Sequence, residues 1–223
     1  MFPVRVVLVE PTHPGNIGAV ARAMKTMALT RLTLVQPLRF PHAEATARAA
    51  GADDVLHQAS ICANLAEAVA DCQLILATTA RTRTIPWPTY TPPEAAVVVA
   101  RALPGQVALV FGREHSGLTN EELLLCHGAI TIPTQPEFRS LNLGSAVQIV
   151  AYEVYQRLRT TALVALPPSQ QVASAAEVEA LFAHLEQAFV QVGFFDPAKP
   201  RQTLRRVKKI LLKAQLESSE VQI

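Results

Sequence analysis

Cysteine is scarce in this 223-residue chain, with only Cys62, Cys72 and Cys126. An odd number at scattered positions gives neither a disulfide framework nor a metal-ligand spacing. A reducing, cytoplasmic setting and no bound metal are therefore expected. The three thiols are read as small buried hydrophobes. No apolar run approaches the ~20 residues that cross a bilayer, so no membrane role is expected. The opening MFPVRVVLVE enters a strand-like run and carries no secretory cleavage pattern. There is no G-x-G-x-x-G after the first strand, which removes doubly wound nicotinamide enzymes. Internal repeats are missing too. Lysine is sparse and lopsided: four of the five lysines lie between Lys199 and Lys213.

Half of the chain is apolar and its net charge is +2. That is enough for one sizeable core with an appendage. Short runs rich in valine, leucine and isoleucine predict strands at Val4–Val9, Leu32–Val35, Gln73–Ala77, Gln106–Phe111 and Ala129–Ile132. Between them lie helical patterns. One is NIGAVARAMKTMAL, which Asn16 can cap; others fall near 43–50, 64–70, 94–102 and 145–160. Thr119-x-x-Glu122 and Ser174-x-x-Glu177 are capping-box signatures. The alternation predicts an α/β fold, a parallel sheet flanked by helices on both faces. Residues 161–175 read as a linker. After it come the helix EVEALFAHLEQAFVQVG and a second helix starting at Pro200.

In a parallel sheet, ligands collect at the carboxyl ends of the strands. Four polar or glycine-bearing loops sit there: PTHPGNIG, TTARTRTIPWP, FGREHSGL and IPTQPEFRSLNLGS. A core needs no arginine or glycine at these places, so together they predict a composite site. The loop VFGREHSGL joins a buried strand to a helix, as a nucleotide-cradling loop does, but has no phosphate fingerprint.

Three segments, NIGAVARAMKTM, FGREHSGLTNEEL and IPTQPEFRSLNLGSAVQIVAYEV, resemble the ordered motifs of the SpoU-type RNA 2′-O-methyltransferases of the SPOUT superfamily. Within that group the chain is most similar to the tRNA (cytidine/uridine-32-2′-O)-methyltransferases, closely over about residues 3–160 and more loosely in the tail. The resemblance implies a C-terminal trefoil knot, a homodimer, S-adenosylmethionine as cofactor and tRNA as partner. It implies a methyltransferase domain over 1–160 and a helical, basic tRNA-binding extension over 176–223. The glycine-flanked loop would then hold an adenosyl group, which needs no phosphate cradle.

Site roles follow from motif position. Gly112 would let the backbone approach the cofactor, since it has no Cβ. Ile132 would pack on the adenine, and Ser140, Leu141, Asn142 and Leu143 would wrap it with main-chain groups. Thr78, Thr79 and Ala80 would line the other side. Arg22 matches the proposed catalytic arginine. A guanidinium stays protonated below a pKa of about 12, so Arg22 is expected to orient the target ribose and stabilise charge on its oxygen; the resemblance alone leaves a base role open. Asn16 would fix its loop or touch the ribose. Glu114 would anchor Arg22 or another arginine across a dimer interface, or serve a structural ion pair. Ser140 would also meet the target nucleotide. Arg81 and Arg83 suit phosphate contacts.

The stretch KPRQTLRRVKKILLK holds seven basic residues and no acid. Leu204, Val207 and Leu211 share one helical face, with Arg205, Arg206, Lys208 and Lys209 largely off it. Those four bases are read as docking on tRNA phosphates. Competing readings are another tRNA position, ribosomal RNA, or an RNA-binding homologue without turnover; Arg22, Asn16, Glu114 and the SLNL segment argue against the last.

Overall fold

The computed structural model describes residues 2–80, 87–160, 172–194 and 203–222. Seven parallel strands form one sheet in the order β3-β2-β1-β6-β4-β7-β5. They are β1 (Val4–Val9), β2 (Arg31–Val35), β3 (Ser60–Cys62), β4 (Leu74–Thr78), β5 (Thr89–Tyr90), β6 (Val107–Phe111) and β7 (Gly128–Ile130). The central strands are almost wholly buried, as continuous apolar runs require when both faces are covered.

One face carries α1 (Pro14–Thr26), α2 (Ala43–Ala49), α3 (Asp53–His57), α5 (Pro92–Ala102) and α7 (Leu143–Leu158). The other carries α4 (Leu65–Val69), α6 (Asn120–Leu123) and the start of α8 (Ala175–Gln191). Side chains alternate between the two layers: Val4, Val6 and Leu8 point to the first, Val7 and Val9 to the second. On the first layer α7 returns to pack against α1 and α5.

The first helix starts three residues earlier than predicted, with its cap at His13 instead of Asn16. His13 is its N-cap, its Nδ1 accepting from the Gly15 N–H at 3.1 Å, and Pro14 opens the helix. Proline suits that place because its φ is preset and no N–H is left unpaired. Asn16 therefore sits inside α1, with its side chain free for other work. Both predicted capping boxes form, at Thr119 and Ser174. The TNEELLL helix is shorter than its pattern, only the four residues of α6. The elements α3, β3 and β5 were not predicted.

Cys72 and Cys126 are buried, and burial pushes each thiol up to about 12. Cys62, on the edge strand β3, is half-buried.

Beside β4, buried His127 accepts a hydrogen bond at Nδ1 from the Ile75 N–H at 3.1 Å. Burial pulls this imidazole down to about 4. The unfolded chain takes up a proton near pH 6.5, whereas the folded chain resists it until about pH 4. Stability is thus complete above pH 6.5 and falls with pH across that window, by at most about 3 kcal/mol from this group. Calorimetry between pH 7 and 4.5 is expected to show this decline. His127→Asn, which keeps an acceptor for Ile75, is expected to flatten it; an unchanged slope would assign the decline to other groups.

The tail begins on the body. The Ala175 and Ala176 N–H groups donate to the Cys72 and Ala70 carbonyls at 2.8 and 3.0 Å. The next helix, α9 (Thr203–Ala214), and the short α10 (Ser218–Val221) follow. The predicted helix start at Pro200 and most of the predicted linker lie outside the described residues.

Candidate active site

The loops after β4, β6 and β7 surround a cavity of about 610 Å³ at the carboxyl ends of those strands. The loop after β6 is shaped by its own contacts. Arg113 and Gly117 exchange backbone hydrogen bonds, Gly117 N–H to Arg113 O at 2.9 Å and Arg113 N–H to Gly117 O at 3.3 Å. Gly117 takes φ +69°, which favours glycine. A Cβ on Gly112 would lie 2.4 Å from the Gly117 carbonyl carbon. Glycine is thus required there by the loop's own backbone, apart from any approach of a ligand.

Arg113 locks this loop. Its Nε donates to Glu10 Oε2 at 2.9 Å, and its two terminal nitrogens reach the Glu122 carboxylate at 3.0 Å each. The Arg113 guanidinium holds Glu10 below the usual carboxylate range. Sequence reasoning gave Arg113 no role. The only signal was an arginine between two glycines, since Glu10 stands 103 positions away.

The structure places Thr78, Thr79, Ala80, Gly112, Glu114, Ile132, Ser140, Leu141 and Leu143 around this cavity. The Thr78 hydroxyl donates to Val110 O at 3.2 Å and the Thr79 N–H to Ile130 O at 2.9 Å, so the end of β4 is pinned between β6 and β7. Asn142 is not among the lining residues; it caps α7, accepting from the Gly144 N–H at 2.9 Å. Its Nδ2 donates to Asn16 Oδ1 at 3.0 Å, and Asn16 Nδ2 donates to Glu114 Oε1 at 3.2 Å. The Thr12 N–H and hydroxyl also reach Glu114, at 3.3 and 3.2 Å. Partial burial pushes the Glu114 carboxyl up, but its own N–H, Asn16 and the backbone of the first loop outweigh this and hold it below its ordinary value. All three motifs are therefore joined by one chain of hydrogen bonds.

Arg22 is not brought to the cavity. It is exposed on α1 and meets no ionic or hydrogen-bonding partner among the described residues. The Glu114–Arg22 pair does not form within this chain; Glu114 accepts from Asn16 and Thr12 instead. Arg81 and Arg83 lie outside the described residues.

In the tail, Lys208 corrects the sequence reading. The side of α9 that is buried is Leu204, Lys208 and Leu212, with Val207 and Leu211 half-buried beside it. The Lys208 ammonium pairs with Glu179 at 2.6 Å and lies 5.4 Å from the centre of the Phe182 ring. A lysine can lie on an apolar face when its stem packs and its head finds a carboxylate. Arg205 pairs loosely with Glu121 at 3.3 Å, and Lys209 stands 5.4 Å over the Trp87 ring. Arg206 is exposed with no ionic partner among the described residues. For RNA binding by this face, Arg206→Gln is expected to lower the salt dependence of tRNA affinity by about one counterion. Lys208→Met is expected to leave that slope alone. Equal slopes for Arg206→Gln and the unaltered protein would remove the face from the RNA contact.

The family model described as the SpoU rRNA Methylase family matches residues 3–152. The chain belongs to that family. A second model, the tRNA methyltransferase TrmJ C-terminal domain, matches residues 176–223. The chain is 43% identical to the tRNA (cytidine/uridine/adenosine-2′-O-)-methyltransferase TrmJ of Pseudomonas aeruginosa (strain UCBPP-PA14), over 99% of this chain and 90% of that one. The crystal structure of TrmJ from Z. mobilis ZM4 matches with TM-score 0.85 and 38% identity, covering 98% of this chain and 94% of that one. The SpoU methyltransferase AviRb from Streptomyces viridochromogenes, in complex with AdoMet, shares the fold at TM-score 0.58 and 19% identity, covering 72% and 62%.

As a member of this family, the chain has a cavity whose chemistry suits an adenosyl ligand. Its walls include Ile130, Ile132, Leu141 and Leu143, with hydroxyls from Thr78, Thr79 and Ser140. A flat aromatic base carrying a ribose suits that mixture of aliphatic surface and sparse polar groups. No described helix is long and apolar enough to cross a membrane.

Proposed function

We propose that this protein methylates a ribose 2′-hydroxyl of tRNA from S-adenosylmethionine, at cytidine or uridine 32 of the anticodon loop, in the cytoplasm. The observation that carries the reading is a cavity walled by the loops of the second and third motifs and the loop after β4, to which the first motif is tied through Asn16, Glu114 and Asn142. The name of the Pseudomonas relative widens the acceptable bases to adenosine.

When bound, S-adenosylmethionine supplies a methyl group already made electrophilic by its sulfonium. The chain's own residues supply position and charge. Ile132 and the 140–143 segment hold the adenosyl moiety, with Thr78, Thr79 and Ala80 opposite. Ser140 stands at the rim, where it meets the target nucleotide. Arg22 grips the ribose–phosphate and stabilises negative charge as it develops on the ribose oxygen. The hydroxyl proton leaves to water, since a guanidinium remains protonated.

Arg22 does not line its own chain's cavity, while Ile149 and Tyr152 on α7 stay 37% and 46% exposed. A two-fold dimer through α7 covers this stripe and carries Arg22 to the partner's cavity. Supporting a trefoil knot is the return of α7 to pack against α1 and α5. Residues 1–160 form the methyltransferase domain, 161–175 the linker and 176–223 the RNA-binding extension.

The test is release of S-adenosylhomocysteine on incubation with S-adenosylmethionine and tRNA, followed by mass mapping of the methylated nucleoside. Stoichiometric release with a 2′-O-methyl group at position 32 is expected. Calorimetry that finds no affinity for S-adenosylmethionine would sink the reading. Light scattering that finds a monomer would remove the shared site.

A further inference from the structure

A second cavity of about 540 Å³ opens at the amino ends of β4, β6 and β7, at the opposite end of the sheet from the candidate active site. The body and the tail build it together, Arg101 of α5 on one side and Leu212 and Lys213 of α9 on the other. Arg101 and Lys213 are both exposed and have no ionic partner among the described residues. No carboxylate stands among the described lining residues. Two uncompensated cations converging on one recess call for an anion.

The recess also has a donor. His127 lines it and is 9% exposed. Its Nδ1 accepts from Ile75, so the neutral ring carries its proton on Nε2. That N–H meets no acceptor among the described residues, and a buried donor left unmade is costly. The partly exposed Tyr90 ring and the aliphatic Leu74 and Val98 complete the walls. An aromatic and aliphatic wall, one directional donor and cations for a phosphate are what an unstacked nucleotide uses. We propose that this cavity binds a single nucleotide, its base inside within reach of the His127 imidazole N–H and its phosphate on Arg101 and Lys213. The nucleotide is either free or part of a bound tRNA.

Equilibrium dialysis of the full chain with radiolabelled uridine 5′-monophosphate tests this, with S-adenosylhomocysteine in excess to occupy any adenosyl site. One nucleotide bound per chain is expected, with the ¹⁵N signals of His127 moving on binding. Arg101→Gln with Lys213→Gln is expected to weaken binding by about tenfold or more, as loss of charge-assisted contacts does. Displacement of the label by tRNA identifies a tRNA nucleotide as the occupant; simultaneous binding identifies a free one. Inorganic phosphate that binds as tightly as the nucleotide overturns the proposal, as does a nucleotide that leaves His127 unmoved. Methyl transfer by the unaltered protein is measured separately, so failure here leaves the proposed reaction standing.

Discussion

A chain carrying Arg22→Lys is expected to bind tRNA and S-adenosylmethionine as the unaltered protein does, yet to transfer methyl groups about 10²- to 10³-fold more slowly, the usual cost of losing one preorganised charge-stabilising donor. Lysine keeps the positive charge but offers a point instead of a planar fork, so a ribose and its phosphate are no longer held together. Single-turnover rates at saturating tRNA separate this from a binding defect. Arg22 is exposed and away from its own cavity, so the experiment has a second arm. Mixing Arg22→Lys chains with chains whose cavity is filled by Ile132→Trp restores one working site in each mixed dimer. About a quarter of the full rate is expected if each arginine serves its partner. An unimpaired Arg22→Lys enzyme removes this residue from the chemistry, and a mixture as inactive as its parents places the arginine and the cofactor in the same chain.

Gly18→Ala carries the largest expected effect on stability, and its sign is diagnostic. In an ordinary helix interior, alanine for glycine stabilises by about 1 kcal/mol. Here the added methyl would lie 2.1 Å from the Ala45 carbonyl oxygen and 2.8 Å from Arg48 Cβ. Backbone cannot yield as a side-chain tip does, so α1 and α2 must separate. Overpacking of this kind costs about 1–3 kcal/mol, and more when backbone is struck. A fall in Tm of about 5–10 °C is expected for a chain of this size. A Tm equal to or above that of the unaltered protein would show that the helices are not in contact there.

What the sequence disclosed about the fold depends on length and burial. The Val4–Val9 and Gln106–Phe111 runs could be read because strands covered on both faces are continuously apolar. Strands β3 and β5 could not, since three and two residues at the sheet edges carry no period. His13 as a cap escaped notice because Asn16 is a commoner cap residue, and only Pro14 hinted otherwise. At the site, the glycine and serine loops announced the cavity, while the tie of Arg113 to Glu10 depends on two distant strand ends becoming neighbours. Lys208 looked like its basic neighbours because Glu179, its partner, is 29 positions away on another helix.

The anchoring of α8 beside the start of β4 has a mechanical consequence. Ala175 is fastened at Cys72, and six residues further along the same rod Thr78 borders the candidate cavity. At about 3.3 Å per residue that rod spans roughly 20 Å. The root of the tail and the candidate cavity are thus held at a set span, like the jaws of a caliper. On the proposed function, an RNA fragment too short to bridge the jaws would engage one of them at a time, so that trimming the substrate would cost turnover before it cost attachment.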